Sequence, residues 1–280
     1  MYAPIRIAFI DYLNALPLGW TMLQGEYPGV FELLHSSPAQ CAEMIRSGEA
    51  DIGLIPAIEF QRIEGLRVLP AIAIASKKEA LSVLLVSRRP IDRIRSIALD
   101  ESSRTSVALL AILLRRHFPT GRAPADRPYN YKKVTTAPDL GVMLERCDAA
   151  LLIGDPALRV DRARFHVWDL AGEWRKLTGL PFVFAFWAVR AGVDLGPAAG
   201  FFYEAKRLGL GRLADIAASR ADSSGLPAPV ICDYLQNYLN YDLDADNLKG
   251  LDLFYRFALE DGLIDQKKEL SFYPWPAPRT

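Results

Sequence analysis

Short apolar runs alternate along the chain with segments in which apolar residues recur at helical spacing. Six runs have the length and residue types of strands, at residues 5–10, 51–55, 68–75, 82–87, 96–99 and 149–154. A further apolar run at 180–187 must be buried on both faces, and the pattern after it is helical to near the end of the chain. Strands that alternate with helices are typical of parallel sheets covered by helices. The pattern therefore predicts an α/β fold.

Two helices are marked by their own boundary signals. Ser37, followed by Pro38 and Gln40, has the composition of a capping box, and Gly48 follows the last residue with helical spacing. A second start signal, Thr-Ala-Pro-Asp, lies at residues 136–139 before another apolar face. We expect a helix to begin at each of these positions.

The start of a third predicted helix has the composition of an anion-binding site. Its apolar positions 107, 110, 111 and 114 share one face, and three basic residues at 115–117 complement the dipole at its end. The helix therefore begins near Ser103, with Ser102 or Ser103 as its cap. First-turn N–H groups, together with the hydroxyls of Thr105 and Ser106, suit a carboxylate or a phosphate.

Composition narrows the class of ligand. The 280 residues carry 33 basic and 33 acidic side chains, so no overall field attracts nucleic acid or an anionic membrane. No run of about 18 apolar residues is present, so the sequence predicts no membrane span. The N-terminal residues lack the basic head and uninterrupted apolar run of a signal peptide, which predicts a cytoplasmic protein. The expected partner is a small molecule.

The sequence contains no recognisable metal or cofactor motif. Cys41, Cys147 and Cys232 are far apart and odd in number, which argues against a disulfide framework or a zinc-binding pair. A phosphate-binding loop, a dinucleotide fingerprint and a Gly-x-Ser-x-Gly elbow are all absent. We therefore expect neither a metal nor a cofactor.

The order of the predicted elements indicates two lobes around a cleft. Residues 1–88 would form the first part of lobe one, residues 89–186 lobe two, and residues 187–280 a return to lobe one with C-terminal helices. The chain would cross between lobes near 87–90 and 186–191. Strand ends and helix starts would then face a ligand cleft between the lobes.

Five motifs follow one another in a specific order. They are Asp-Tyr-Leu-Asn-Ala-Leu-Pro-Leu at 11–18, Ala-Asp-Ile-Gly-Leu-Ile-Pro at 50–56, Ser-Arg-Thr-Ser-Val at 103–107, Leu-Leu-Ile-Gly-Asp-Pro-Ala-Leu at 151–158, and Trp174 with Thr-Gly-Leu-Pro-Phe-Val-Phe-Ala at 178–185. In this order they resemble the chorismate dehydratases of the futalosine route to menaquinone. The resemblance implies a two-lobed type II periplasmic-binding-protein-like fold and a hydro-lyase that converts chorismate to 3-(1-carboxyvinyloxy)benzoate.

The resemblance also assigns residues to the reaction. It places the family's key asparagine on Asn14 and a second pocket residue on Ser82, which we predict to be catalytic. An alternative for Asn14 is a hydrogen bond within its own turn. Ile55 and Pro56, at the end of the second motif, are assigned to substrate binding.

Several polar residues are predicted to contact the substrate. Ser103, Thr105 and Ser106 are assigned to one of its carboxylates. Arg104 either pairs with this anion or points into solvent. Asp155 is either a base near the ring or a helix cap, and the cap is favoured because a carboxylate beside a dianion is unfavourable.

No obvious protein base accompanies these residues. The three histidines, at positions 35, 117 and 166, lie outside the motifs and are expected at the surface or at a helix end. Glu59 and Asp11 remain possible bases. Our hypothesis is that the enolpyruvyl carboxylate of the substrate takes the C3 proton itself.

Other functions are compatible with this fold. A sister enzyme that forms 1,4-dihydroxy-6-naphthoate would place a histidine in the cleft, and a solute-binding protein for a small carboxylate would carry an export signal. A LysR-type sensor domain would need a DNA-binding segment ahead of Ile5. The sequence contains no signal for the oligomeric state.

Overall fold

Ten strands form two sheets in the computed structural model, which describes residues 3–100, 102–118, 130–134 and 138–274. The first sheet contains β1 (Ile5–Ile10), β2 (Phe31–Ser36), β3 (Ile52–Pro56), β4 (Arg67–Ser76) and β10 (Phe182–Val189), in the order β2-β1-β3-β10-β4. The second contains β5 (Val83–Ser87), β6 (Ser96–Asp100), β7 (Asn130–Val134), β8 (Ala149–Ile153) and β9 (His166–Asp169), in the order β7-β6-β8-β5-β9. Each sheet is the centre of one lobe.

The prediction of wholly parallel sheets is wrong at two strands. β1 pairs in parallel with β2 and β3, and β6 pairs in parallel with β7 and β8. In contrast, β10 is antiparallel to both of its neighbours, and so is β5. These are the first strands that the chain forms after each change of lobe, and they enter the new sheet from the opposite direction.

The same two strands correct the predicted lobe boundaries. β5 was assigned to the end of the first lobe, but it pairs within the second sheet, so the chain crosses between residues 77 and 82 rather than near 88. β10 was assigned to the second lobe, but it lies between β3 and β4, so the return occurs before residue 182 rather than near 186. Apart from the partly exposed Phe184, both apolar runs are buried, and neither run indicates which sheet it joins.

Eleven α-helices cover the sheets in the described part of the chain: α1 (Leu16–Leu23), α2 (Pro38–Ser47), α3 (Glu59–Arg62), α4 (Arg104–Arg116), α5 (Leu140–Arg146), α6 (Asp155–Leu158), α7 (Leu170–Thr178), α8 (Ala199–Leu210), α9 (Leu213–Ser224), α10 (Ala228–Asp233) and α11 (Ala245–Glu260). The capping box of α2 is confirmed, since the Ser37 hydroxyl accepts from Gln40 and Gly48 ends the helix at φ 81°. None of the helices in the described ranges is both long and apolar enough to cross a bilayer.

The helix predicted after residues 136–139 begins at Leu140. Its cap is Asp139, whose carboxylate accepts from the Val142 N–H, whereas residues 136 and 137 lie outside the described residues. Residues 119–129 and 275–280 also lie outside them.

The C-terminal helices complete the first lobe. α8 packs on α1 so closely that a Cβ at Gly209 would lie 2.0 Å from the Pro17 carbonyl oxygen. Trp174 of α7, Phe182 of β10 and Phe254 of α11 form an edge-to-face aromatic cluster in which all three rings are buried. The last third of the chain is thereby fixed against the central strand β10.

Candidate active site

A cavity lies between the lobes, with walls from both sheets. The first lobe contributes Ile10, Tyr12, Asn14, Pro38, Pro56, Ile74, Phe184, Ala185 and Leu239, and the second contributes Ser82, Val83, Ser103, Arg104, Thr105, Ser106, Ile153 and Gly154. The walls combine apolar side chains with a few amide and hydroxyl groups, which suits a small ring that carries polar substituents.

Asn14 lies in the cleft as predicted from the sequence. A short 3-10 helix, Leu13–Ala15, follows β1 and carries the side chain to the cavity wall. Its Oδ1 atom is buried and has no hydrogen-bond partner within the described residues. The alternative, a side-chain hydrogen bond within its own turn, is therefore not observed for this oxygen. An unpaired buried amide is costly, so it indicates a position that a ligand satisfies.

Ser82 lies opposite, at the start of β5. Its side chain is 1% exposed and lines the cavity, and its Oγ atom accepts a hydrogen bond of 2.7 Å from the Tyr234 hydroxyl. Sequence reasoning missed Tyr234, which follows α10 and lies 152 residues further along the chain. Leu239, in the same segment, also lines the cavity. No local pattern marks either residue as part of the site.

The backbone before Ser82 is held in an unusual conformation. Leu81 has φ 60°, a region that non-glycine residues rarely adopt. The Asp169 carboxylate accepts from the N–H groups of Ala80 and Leu81, and also from two N–H groups at the start of α7. Burial raises the pKa of Asp169, against the effect of these backbone donors. One carboxylate thus fixes the path of the chain into Ser82.

The start of α4 faces the cleft. Ser103 is its N-cap residue as predicted, but its side chain makes no capping hydrogen bond, and the Ser102 hydroxyl donates instead to Asp100 at 2.7 Å. First-turn N–H groups of α4 therefore lack a side-chain partner. Ser103, Thr105 and Ser106 all line the cavity, and the Thr105 hydroxyl oxygen also accepts from the Ile58 N–H of the first lobe at 3.2 Å. The binding of a substrate carboxylate by these three residues remains a prediction.

The structure shows a further contact for Arg104. The side chain is 28% exposed and lines the cavity, and its guanidinium forms ion pairs with Glu59 at 2.9 Å and Glu43 at 2.6 Å. Both carboxylates belong to the first lobe. These pairs bridge the two lobes with two of the five N–H donors of the guanidinium, and a contact with a substrate anion remains a prediction.

Asp155 does not cap the helix that it begins. Gly154 is the N-cap residue of α6, and the Asp155 carboxylate accepts instead from the Leu13 N–H of the first lobe at 3.0 Å. Burial raises the pKa of Asp155. The side chain lines a smaller polar hollow with Arg220 rather than the main cavity. It contacts the backbone next to Asn14, and a role in substrate binding remains a prediction.

The two residues predicted from the second motif differ in position. Pro56, at the end of β3, lines the cavity. Ile55 is fully buried inside the first sheet and is not part of the cavity wall. Residues of a strand point alternately to opposite faces, so neighbours in one motif need not share a site.

Among the described residues, the cavity wall contains no Asp, Glu or His side chain. Glu59 is fully buried but pairs with Arg46, Arg62 and Arg104, and Asp11 pairs with Arg220. The three histidines lie away from the cavity, as expected: two are exposed, and the third is 2.7 Å from Glu173. Across the described residues, no three His, Cys, Asp or Glu side chains are grouped so that they could hold a metal ion.

Comparison with known proteins assigns the chain to a family. The menaquinone biosynthesis family model matches residues 5–260. The chain belongs to this family. Chorismate dehydratase from Thermus thermophilus is 31% identical to it over 273 residues, which cover 90% of the chain and 94% of that enzyme. The match includes all five motifs and extends into the C-terminal helices.

Solved structures confirm the fold class. A protein from Archaeoglobus fulgidus superimposes with a TM-score of 0.74 at 17% identity, covering 94% of the chain and 99% of that protein. The alkanesulfonate-binding protein SsuA from Xanthomonas axonopodis pv. citri has a TM-score of 0.65 at 19% identity, with 94% of each chain covered. The chain thus has the predicted periplasmic-binding-protein-like fold.

Proposed function

We propose that the protein is a chorismate dehydratase that removes water from chorismate to give 3-(1-carboxyvinyloxy)benzoate. The observation that carries this proposal is a cleft whose wall, over the described residues, combines amide, hydroxyl and helix N-terminal groups with no Asp, Glu or His side chain. The unpaired Oδ1 acceptor of Asn14, the Ser82 hydroxyl and the start of α4, which has no side-chain cap, all border one cavity. Family membership and the 31% identical Thermus thermophilus enzyme support the assignment.

The chemistry of chorismate fits these groups. The substrate carries two carboxylates and a C4 hydroxyl, and the elimination makes its ring aromatic. Hydroxyl and N–H donors at the start of α4 suit one carboxylate, because helix N-termini favour anions. Acidic side chains would repel the dianion, and the described part of the cavity wall has none. The site can therefore bind the carboxylates of the substrate without electrostatic repulsion from its own side chains.

The base in this proposal is the enolpyruvyl carboxylate of the substrate. It takes the C3 proton, the electron pair of the C–H bond enters the ring, and the C4–O bond breaks as hydroxide leaves. The departing hydroxide takes up the proton that the carboxylate received, so one water is released and the carboxylate is regenerated. Holding the carboxylate near C3 makes this step intramolecular, which is a large source of rate enhancement. The absence of Asp, Glu and His side chains from the described part of the cavity wall supports this step.

The test is to incubate the purified protein with chorismate, without added metal, and to identify the products by chromatography with mass detection. We expect loss of one water per chorismate. Asn14→Asp should lower kcat/KM by about 100-fold, since it replaces a donor near the developing charge by an anion. Gln266→Glu adds the same charge on an exposed side chain and should retain activity.

Two outcomes would overturn the proposal. Binding of chorismate without turnover would indicate a solute-binding protein. An Asn14→Asp variant as active as the wild type would show that this cleft is not the active site. The formation of 1,4-dihydroxy-6-naphthoate is disfavoured because it calls for a histidine in the cleft, and no histidine among the described residues lines the cavity.

A further inference from the structure

Tyr234 is the buried residue that contacts Ser82 from outside the cleft. It begins a five-residue π-helical stretch, Tyr234–Tyr238, between α10 and α11, and is 2% exposed. Stretches of this kind are rare and occur frequently at functional sites. The stretch contacts the cavity at two points. Tyr234 forms a hydrogen bond with Ser82 of the cavity wall, and Leu239, the residue directly after the stretch, is part of that wall.

We propose that Tyr234 is a positioning residue that holds the Ser82 hydroxyl with its proton directed into the cleft. The proposal rests on the proposed dehydratase function and names a residue that acts through Ser82. It extends the site beyond the five sequence motifs, into the C-terminal third of the chain.

The direction of the hydrogen bonds supports this assignment. The Tyr234 hydroxyl has one hydrogen-bond partner in the described structure, Ser82 Oγ at 2.7 Å, and a buried O–H group needs an acceptor. Tyr234 therefore donates and Ser82 accepts. A serine hydroxyl also has one proton to donate, and Ser82 Oγ makes no further hydrogen bond within the described residues. Since Ser82 lines the cavity, the remaining direction for its proton is toward a bound molecule.

The surroundings fix both partners. Ser82 O accepts from the Gly154 N–H at 2.9 Å, and Asp169 holds the two residues before Ser82. Burial raises the pKa of Tyr234, so the phenol stays protonated and remains a donor. Tyr234 therefore does not supply a proton to the reaction.

The departing C4 oxygen is the group that gains from this arrangement. As the C4–O bond breaks, negative charge develops on that oxygen, and a fixed O–H donor stabilises it more than a freely rotating one. Without Tyr234, the Ser82 hydroxyl can rotate and donate elsewhere. The expected effect is on kcat rather than on KM, because the charge is absent from the bound substrate.

Tyr234→Phe tests the proposal, with Ser82→Ala and the double variant completing a mutant cycle. We expect kcat to fall about tenfold in Tyr234→Phe with KM within about twofold of the wild type, the effect of one misdirected hydrogen bond. In the Ser82→Ala background, Tyr234→Phe should have no further effect, because the residue through which it acts is gone.

Tyr241→Phe is the matched control. Tyr241 is also buried in this part of the chain, but its hydroxyl has no hydrogen-bond partner in the described structure. Removing it should leave kcat unchanged. Thermal unfolding of each variant checks that the fold is intact, and Tyr234→Met, which fills the space with a flexible apolar side chain, repeats the test if the phenylalanine variant unfolds.

The outcomes separate the two proposals. Equal kcat in Tyr234→Phe and wild type, with a slow Ser82→Ala variant, would overturn the role of Tyr234 and leave the dehydratase in place. Independent losses in the double variant would also overturn it, because Tyr234 would then act without Ser82. A wild-type protein that does not convert chorismate would overturn the proposed function, and the inference with it.

Discussion

Gly154 allows the two lobes to approach each other at the cleft. It has φ 64° and ψ −147°, a combination that essentially only glycine adopts. A Cβ atom here would lie 2.8 Å from the Tyr12 ring, which belongs to the first lobe and lines the cavity. The missing side chain therefore makes room for the wall of the site.

Gly154→Ala should affect both stability and substrate binding. The strained backbone should lower the free energy of unfolding by about 1–3 kcal/mol, and displacement of Tyr12 should raise KM for chorismate. Urea unfolding and steady-state kinetics measure the two effects. Gly225→Ala is the control, since Gly225 has φ 68° but no atom within 4 Å of its Cβ position. It should lose stability with a normal KM, and a normal KM in Gly154→Ala would contradict the prediction.

At the level of elements, one carboxylate joins three strands of the first sheet. Asp51, just before β3, accepts from Arg6 of β1 at 2.8 Å and from Arg190, just after β10, at 3.1 Å. Burial acts to raise the pKa of Asp51, but the hydrogen bonds from Arg6 and Arg190 outweigh it and lower the pKa. The ionised form is thus favoured by folding.

The lowered pKa of Asp51 predicts how the free energy of unfolding changes as the pH falls. Because the folded pKa lies below the ordinary 3.8, the stabilisation is present above that pH and is lost as the pH falls through the folded value. Asp51→Asn should be less stable at pH 7 and should show a shallower loss between pH ~4 and ~2. Urea midpoints measured across this range test it. Asp246→Asn removes an exposed pair with Lys249 and should leave the acid slope as in the wild type.

Local sequence signals predicted the elements that depend on near neighbours. The capping box at Ser37 and the central strands were found because their cause lies within a few residues. The sequence pattern misses the edge strands β2, β7 and β9. β2 and β9 contain exposed residues, among them His35 and His166, so neither shows a full apolar run.

The site divides in the same way. Ser103 and Ser106 lie at a helix start, which local patterns mark, whereas Asn14 and Ser82 were assigned from the family resemblance, and all four line the cavity. Tyr234 reaches the site only through folding, since its partner is 152 residues away. Partners that are brought together by long-range packing leave no periodic signal in the sequence.

Considered as a whole, the molecule is in a closed arrangement. Arg104 pairs with two carboxylates of the first lobe, the Thr105 hydroxyl accepts from the Ile58 N–H, and Asp155 accepts from the Leu13 N–H. Each contact joins residues from different lobes at the border of the cleft. Arg104 and Thr105 therefore both join the lobes and line the cavity.

Arg104→Gln should favour an open arrangement. Loss of the ion pairs should increase the radius of gyration in small-angle scattering and weaken chorismate binding about tenfold, the equivalent of about 1.4 kcal/mol. Arg62→Gln is the control, because Arg62 also pairs with Glu59 but within one lobe. An equal effect of the two substitutions would show that closure does not depend on the contact between lobes.

The position of β10 has a consequence for how the protein is made. This strand lies between β3 and β4, yet it follows all five strands of the second sheet in the chain. During synthesis, the strands of the second sheet are therefore complete before β10 of the first sheet is made. More than 100 residues are synthesised between β4 and β10, and during this time the edges of β3 and β4 that pair with β10 are unpaired and open to aggregation.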